Sequence, residues 1–419
     1  MYFSSKYRPV LFLYNILTYV ADFHLRIIAL FNEKIALGVR GRSRTFKQLK
    51  IHIADSDKVI WAHCASLGEY EQGLPVFERL KELHPDHKFV LSFFSPSGYE
   101  NKKNAPIADV VVYLPLDTKR NAIRFLNAVH PNLVLFVKYE IWPNYLKHLK
   151  NRAIWTILIS ANFRKDQSYF KFTGKWMLAA LKSFDHIFVQ NKSSKKLLED
   201  HGITNVTISG DTRFDRVLKQ LTTDNHLAFI ERFKQNKLCI VAGSTWPGDE
   251  ALLIDFINKS EVSIKYVIAP HNIKSKQIGE LKAAITKSTV LYSEMNEQDL
   301  SNFDVLILDT IGLLAKTYAY ANIAYVGGAM GTTGLHNTLE AAVFGVPIII
   351  GKNYEKFPEA KDMIDLGGLF AVSNQSDFNE VLHKLISGDK DLKSLGKKNY
   401  DYIKKNEGAV IQILDYLRK

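Results

Sequence analysis

From about residue 58 the chain settles into one rhythm. Short apolar, β-rich runs alternate with amphipathic helical stretches. The first series of runs is KVIWAHC, FVLSFF, VVVYL, LVLFV, AIWTILIS and HIFVQ, with a weaker VTISG ending near residue 210. The second is KLCIVAG, IKYVIAP, STVLYS, DVLILD, IAYVGG and VPIIIG. Between the runs lie segments of helical period, such as LPVFERLKELH and TKRNAIRFLNAVH. Strand-helix-strand order predicts α/β architecture: parallel sheets covered by helices, with right-handed crossovers. The polar stretch LKQLTTDNH separates the two series, so two similar halves are expected to join near residues 210–225. The reading divides the chain into 1–50, an apolar and basic N-terminal segment; 51–215, a first Rossmann-like domain; and 216–419, a second. The closing segment LKSLGKKNYDYIKKNEGAVIQILDYL reads as helical, with its last helix open to return to the first half.

Composition supports this and excludes other classes. With 419 residues, 47% of them hydrophobic, there is ample core for two or three domains, and intrinsic disorder is excluded. Cys64 and Cys239 both lie in apolar runs and read as buried thiols, which leaves no disulfide scaffold and no cysteine-ligated zinc and fits a reducing compartment. The net charge of +12 favours anionic partners, although a solvated lysine-rich surface accounts for it equally well.

The first apolar stretch, residues 9–31, is long enough to cross a bilayer. It carries Asp22, His24 and Arg26, however, and a charge at the centre of a span costs about 2.5–3.5 kcal/mol on insertion scales. A helix lying in the interface avoids that cost, and the following basic segment VRGRSRTFKQLK is expected to meet anionic headgroups. A helix packed on its own domain is the alternative. The start, MYFSSKYRP, gives no sign of a cleavable signal.

Ligands of open α/β sheets bind beyond the carboxyl ends of the strands, so the strand-to-helix loops are where chemistry belongs. In WAHCASLGEYEQG (61–73), Ser66, Gly68 and Glu69 open a helix. The simpler account of Glu69 is capping; a partly desolvated carboxylate facing the loop would also serve as a general base. In VAGSTWPGDEALL (241–253), Ser244 and Thr245 precede Pro247 at a first helical position, either as an N-cap or as phosphate donors. In VGGAMGTTGLHNTLEAAVFGVPIIIG (326–351), a glycine-rich loop leads into a helix expected to begin at His336 and Asn337. There Asn337 and Glu340 form either a capping box or a site for a phosphate and a ribose diol. The pattern is neither GxGxxG nor a P-loop. Single candidates are Glu140 in YEIWPNYL, Arg164 in SANFRK, Asp211 and Arg213 in SGDTRFDR, and His271 in APHN. Neither HExxH nor GxSxG is present.

Taken together and in order, these loops resemble the 3-deoxy-D-manno-octulosonic acid (Kdo) transferases of lipopolysaccharide synthesis. The matching pieces are HCASLGE, FFSPSG, YEIWPN, SANFR, VQN, SGDTRFD, VAGSTWPGDE and YVGGAMGTTGLHNTLEAAVFGVP, together with the apolar N-terminus, and they cover nearly the whole chain. The resemblance implies a GT-B fold, two Rossmann-like domains facing a cleft. It implies inverting, metal-independent transfer of Kdo from CMP-Kdo to a lipid A precursor at the cytoplasmic face of the inner membrane, with no cofactor and no nucleic-acid partner. It makes Glu69 the general base. The donor would meet Arg213, Ser244, Thr245, His271, Gly312, Asn337 and Glu340, and the acceptor Ser66, Ser97, Glu140 and Arg164. Two positions depart from the family pattern. His271 stands where the family has an arginine, which weakens charge stabilisation there. Gly312-Leu313-Leu314 lacks the family's carboxylate.

Three other readings are carried forward. A UDP-sugar 2-epimerase-like isomerase on the same fold would need no apolar N-terminus. A non-catalytic, membrane-bound nucleotide-sugar binder would keep its affinity without Glu69. A nucleic-acid binder would use the charge but not the glycine-rich loop.

Overall fold

The structure, a computed structural model, describes residues 8–296, 298–388 and 391–418. The start MYFSSKY lies outside the described residues. The chain forms two compact units. One runs to Arg216 and takes the chain back from Glu407; the other is Val217–Asn406.

The first unit holds seven strands: β1 (Lys58–Cys64), β2 (His87–Phe93), β3 (Val110–Tyr113), β4 (Leu133–Val137), β5 (Trp155–Ala161), β6 (His186–Val189) and β7 (Val206–Ile208). They pair in the order β3-β2-β1-β4-β5-β6-β7, every pair parallel. A parallel strand is buried on both faces, which is why these runs read as continuously apolar. In β1, Val59 and Trp61 enter one core while Ile60, Ala62 and Cys64 enter the other.

The second unit repeats the plan with β8 (Leu238–Thr245), β9 (Ile264–Pro270), β10 (Thr289–Leu291), β11 (Val305–Ile307), β12 (Ile323–Val326), β13 (Ile348–Gly351) and β14 (Leu369–Val372). Their order is β10-β11-β9-β8-β12-β13-β14, again all parallel. Both cysteines are free and buried, and burial pushes the Cys239 thiol up to about 12.

In each unit the chain reverses its direction of travel across the sheet at one place. In the first unit, β2 and β3 are laid down on one side of β1, and β4 then returns to the other. In the second, β9, β10 and β11 are laid down on one side of β8, and β12 then returns to the other. Such a switch point opens a crevice between the two loops that leave the adjoining strands. The crevices fall after β1 and β4, and after β8 and β12.

Six helices of the first unit matter below: α1 (Arg8–Ile28), α2 (Glu33–His52), α3 (Leu67–Leu83), α4 (Pro96–Lys102), α5 (Lys119–Val129) and α6 (Pro143–Asn151). The basic segment expected to meet headgroups belongs to α2, and part of it is turned into the protein instead. Thr45 donates to the Tyr113 carbonyl at 2.8 Å and Leu49 is fully buried. Arg42 donates to the carbonyls of Phe94 (2.7 Å) and Leu114 (3.1 Å) and lies over the Phe94 ring. The chain ends beyond β2 and β3 offer these free carbonyls, and a guanidinium satisfies two of them at once.

α1 touches the unit along one face. Leu11 is buried, the Tyr14 hydroxyl donates to Asp117 at 2.8 Å, and the Asn144 amide donates to Asn15 at 2.8 Å. Asp117 also accepts the Asn144 and Tyr145 backbone N–H groups at the start of α6, and burial pushes its carboxyl up to about 7. The remaining sides of α1 expose Phe12, Leu13, Ile16, Leu17, Val20, Phe23 and Ile27.

The closing segment is two helices, Leu392–Lys405 and Ala409–Leu417, broken at Gly408 with φ +105°. The break returns the last helix to the first unit, where the Asp215 carboxylate accepts the backbone N–H groups of Gly408 (3.0 Å) and Ala409 (3.1 Å). Val410, Ile413 and Leu414 then join Tyr70, Val76 and Phe77 of α3 in one core.

Candidate active site

In the first unit, β1 ends at Cys64 and α3 starts at Leu67, so Glu69 falls in the helix's first turn. Its Oε2 accepts the backbone N–H of Ala65 and, at 3.2 Å, that of Ser66. The capping role is therefore real, and Ser66 is the cap residue. Capping occupies only one carboxylate oxygen; Oε1 accepts no hydrogen bond among the described residues. The side chain is buried. Burial foremost, and then the neighbouring Glu140 carboxylate, pushes the Glu69 carboxyl up to about 7, against the pull of the two N–H groups and of Lys138.

Glu140 follows β4, across the switch point from Glu69. Its Oε2 accepts the Trp142 indole N–H at 2.8 Å and meets His63 Nε2 at 3.0 Å. His63 Nδ1 lies 2.9 Å from the Ser92 hydroxyl, which accepts the Trp61 indole N–H at 2.7 Å. An ionised carboxylate only accepts, so His63 carries a proton on Nε2. The chain Trp61–Ser92–His63–Glu140–Trp142 fixes the Glu140 carboxylate from below. Orienting partners of this kind hold a functional carboxylate in one geometry.

The other residues of this unit sit on neighbouring loops. Ser97, in the first turn of α4, lies 2.9 Å from Ser95 oxygen to oxygen. Arg164, after β5, is exposed; it donates to the Tyr139 hydroxyl at 3.3 Å and lies 3.5 Å from Asp166. Arg213, in the helix Thr212–Gln220, pairs with Asp211 through Nε (2.9 Å) and Nη2 (2.8 Å).

In the second unit β8 runs on through Ser244, which has φ +54°, to Thr245. Thr245 is buried and its hydroxyl donates to Glu250 at 3.0 Å. Trp246 stacks on His271, centroids 4.6 Å apart, and donates its indole N–H to His336 Nε2 at 3.0 Å. His336 therefore carries its proton on Nδ1. Burial, and then His271, lowers it to about 4, and burial alone lowers His271. Both rings are neutral at physiological pH. Gly312, with φ +91°, lies in the turn after β11.

The helix expected from His336 begins at Leu339 and spans only Leu339–Ala342, with Thr338 as its cap. Asn337 still serves the helix start: it accepts the Leu339 N–H at 3.3 Å, while its amide donates to Glu340 at 3.2 Å. The reason for the late start is Asp249, which pins the preceding loop. Its buried carboxylate accepts the Gly328 N–H (2.8 Å), the Trp246 N–H (2.9 Å) and the Tyr325 hydroxyl (2.7 Å). Gly327 packs so tightly on the Ser244 carbonyl that a Cβ there would overlap it. Gly327→Ala is expected to cost about 1–3 kcal/mol, as overpacking does, seen as a lower urea midpoint for the second unit.

Sequence reasoning thus finds residues flanking both switch points, and the structure collects them. Glu69 and Glu140 sit together in the first unit; Ser244, His271, Asn337 and Glu340 gather at the carboxyl ends of β8, β9 and β12 in the second. His63 and Asp249 were missed. His63 reads as part of an apolar strand, and nothing local in the sequence singles out Asp249.

Residues 39–216 match the family model 3-Deoxy-D-manno-octulosonic-acid transferase (kdotransferase). The 3-deoxy-D-manno-octulosonic acid transferase of Haemophilus influenzae is 27% identical over 379 residues, 86% of this chain and 86% of that protein. The enzyme of the same name from Aquifex aeolicus is 29% identical over 342 residues, 80% and 88% of the two chains. The chain is thus similar to Kdo transferases over most of its length. Among solved structures, the UDP-GlcNAc 2-epimerase of Neisseria meningitidis bound to UDP-GlcNAc superposes with a TM-score of 0.59 over 86% of this chain and 99% of that one. At 15% identity that likeness is one of fold. Together with the two seven-stranded parallel sheets, it gives the chain a GT-B-like fold.

Proposed function

We propose that the protein transfers Kdo from CMP-Kdo to the 6′-hydroxyl of a lipid A precursor of the lipid IVA type, inverting the anomeric carbon, with Glu69 as general base. The observation that carries this is the Glu69 carboxyl: buried, raised to about 7, one oxygen held by backbone and the other unengaged. A base works best when its pKa lies near the working pH. In the reaction Glu69 Oε1 takes the acceptor's hydroxyl proton as that oxygen bonds to the anomeric carbon. The bond from that carbon to the CMP phosphate oxygen breaks, and the electron pair leaves on the phosphate. The transition state is oxocarbenium-like, as in related glycosyl chemistry.

On this reading the first unit receives the acceptor, with Glu140, Ser66, Ser97 and Arg164 around it, and the second holds the donor. Glu340, fixed by Asn337, takes the ribose. The Thr245 hydroxyl is engaged by Glu250, and His271 and His336 are neutral, so the leaving phosphate relies on Ser244, Asn337 and loop N–H groups. Preorganised donors of this kind stabilise charge as it develops. We assign the chemistry to these groups without a metal or other cofactor.

The membrane reading follows from α1. Leu11, Tyr14 and Asn15 touch the unit, Asp22, Leu25 and Arg26 line a pocket against it, and large apolar side chains are exposed on the other sides. A helix held lengthwise in this way lies in the interface rather than crossing it. We place it at the cytoplasmic face of the inner membrane.

The test is mass spectrometry of a tetra-acylated, bis-phosphorylated lipid A precursor incubated with the protein and CMP-Kdo. We expect the acceptor to gain whole Kdo residues, and the mass counts them. An acceptor of unchanged mass, under conditions where a characterised Kdo transferase modifies it, would overturn the assignment.

A further inference from the structure

A polar pocket lies in the first unit, between α1, α2 and α5, with a volume of about 220 Å³. Its charged and polar lining is Asp22, Arg26, Arg42, Ser43, Asn121 and Arg124. Three guanidinium groups face one carboxylate. Asp22 is committed to Arg26 at 2.9 Å. Arg42 is held by the Phe94 and Leu114 carbonyls, which occupy N–H groups but bring no counter-charge. Arg124 lies flat on the Phe46 ring, 3.8 Å from its centroid, and makes no ion pair among the described residues. The ring covers one side of that guanidinium, and its N–H groups make no hydrogen bond among the described residues. A guanidinium so placed can take a phosphate by two parallel hydrogen bonds.

The pocket's position says which phosphate. α1 forms one wall through Asp22, Leu25 and Arg26, and the same turns expose Phe23, Ile27 and Ile28 outward. A phosphate held on the inner side of this helix therefore sits beside a surface suited to acyl chains. We propose that the pocket binds the phosphate headgroup of an anionic bilayer phospholipid, clamping the first unit to the membrane. The proposal rests on the membrane reading of α1 and goes beyond it: diffuse attraction needs only positive charge, whereas this pocket needs arginine geometry.

The test uses the full chain and sedimentation with three kinds of vesicle: phosphatidylcholine alone, phosphatidylcholine with phosphatidylglycerol, and phosphatidylcholine with the phosphorylated acceptor lipid. Wild type should bind the phosphatidylglycerol vesicles more tightly than the neutral ones. Arg124→Ala should weaken that binding about fivefold, the contribution of one basic side chain at an anionic surface. Arg124→Lys, which keeps the charge and loses the guanidinium, should lose most of the same margin. If Arg124→Lys binds phosphatidylglycerol like wild type, the attraction is diffuse and the pocket proposal fails while the membrane reading stands. If the variants lose binding only to acceptor-containing vesicles, the pocket serves the acceptor's phosphate and the proposal fails. If wild type binds no vesicle, the membrane reading itself fails and takes the pocket with it. Circular dichroism of each variant checks that it is folded.

Discussion

Glu69→Gln is expected to lower the transfer rate by about 10²–10⁴, the usual contribution of general base catalysis, while affinity for CMP stays at the wild-type level. The amide oxygen still accepts the Ala65 and Ser66 N–H groups, so the first turn of α3 keeps its cap and the loss is one of proton transfer. The wild-type rate should climb through an acid limb near pH 7, where Glu69 ionises. Glu140→Gln should move that limb to lower pH, because the Glu140 charge helps to hold the Glu69 proton on. Stability should run the opposite way to activity. The folded protein holds the Glu69 proton more tightly than the unfolded chain does, so between the ordinary glutamate value and about 7 the wild type loses stability as pH rises. The thermal midpoint of Glu69→Gln relative to wild type should therefore be higher at pH 8 than at pH 5. A variant with wild-type transfer would remove the base from the mechanism; one with lost transfer and no difference between the two pH values would show that the carboxyl is not raised.

Asp249→Ala should have the largest effect on stability, about 3–5 kcal/mol, the range found when one partner of a buried charged network is removed. Three donors lose their acceptor at once: the Trp246 and Gly328 N–H groups and the Tyr325 hydroxyl. Each orphaned donor costs about 1–3 kcal/mol when no water replaces the partner. The urea midpoint of the second unit should fall steeply. CMP affinity should fall with it even under conditions where the variant is folded, because the same carboxylate holds the loop that carries Asn337 and Glu340. Asp249→Asn keeps one acceptor oxygen and should lie between. If Asp249→Ala denatures like wild type, the loop is held by something other than this carboxylate.

The contrast between Glu69 and Asp249 shows how far the residues speak for themselves. Both are first-turn acids after a strand; local spacing assigns Glu69 to capping and singles out nothing at Asp249. What separates them is burial and neighbours, which depend on strand order: Glu140 comes beside Glu69 only because β4 returns next to β1. The runs that became β1, β4 and β9 were legible end to end because strands buried on both faces read as unbroken apolar segments. β14 was not, since it is a four-residue edge strand, half-exposed in its middle, entered through Gly367-Gly368. The helix at Leu339 was placed too early because an Asn with a Glu three positions on looks like a capping box, and the loop's fastening to Asp249 lies outside any local window. The basic stretch of α2 was assigned outward on charge alone; the free carbonyls that draw Arg42 inward belong to Phe94 and Leu114, far away in the chain.

The return of the chain at Glu407 has a consequence for biosynthesis. The helix Ala409–Leu417 leaves the ribosome only after all of Val217–Asn406, yet it completes the hydrophobic seat of α3, on which Glu69 stands. The leading half must wait, with apolar side chains uncovered, while the whole of the trailing half is translated. Loss of the helix Ala409–Leu417 would therefore injure the lobe made first, and a nascent chain stalled near Asn406 would be a client for chaperones even with its second unit fully folded.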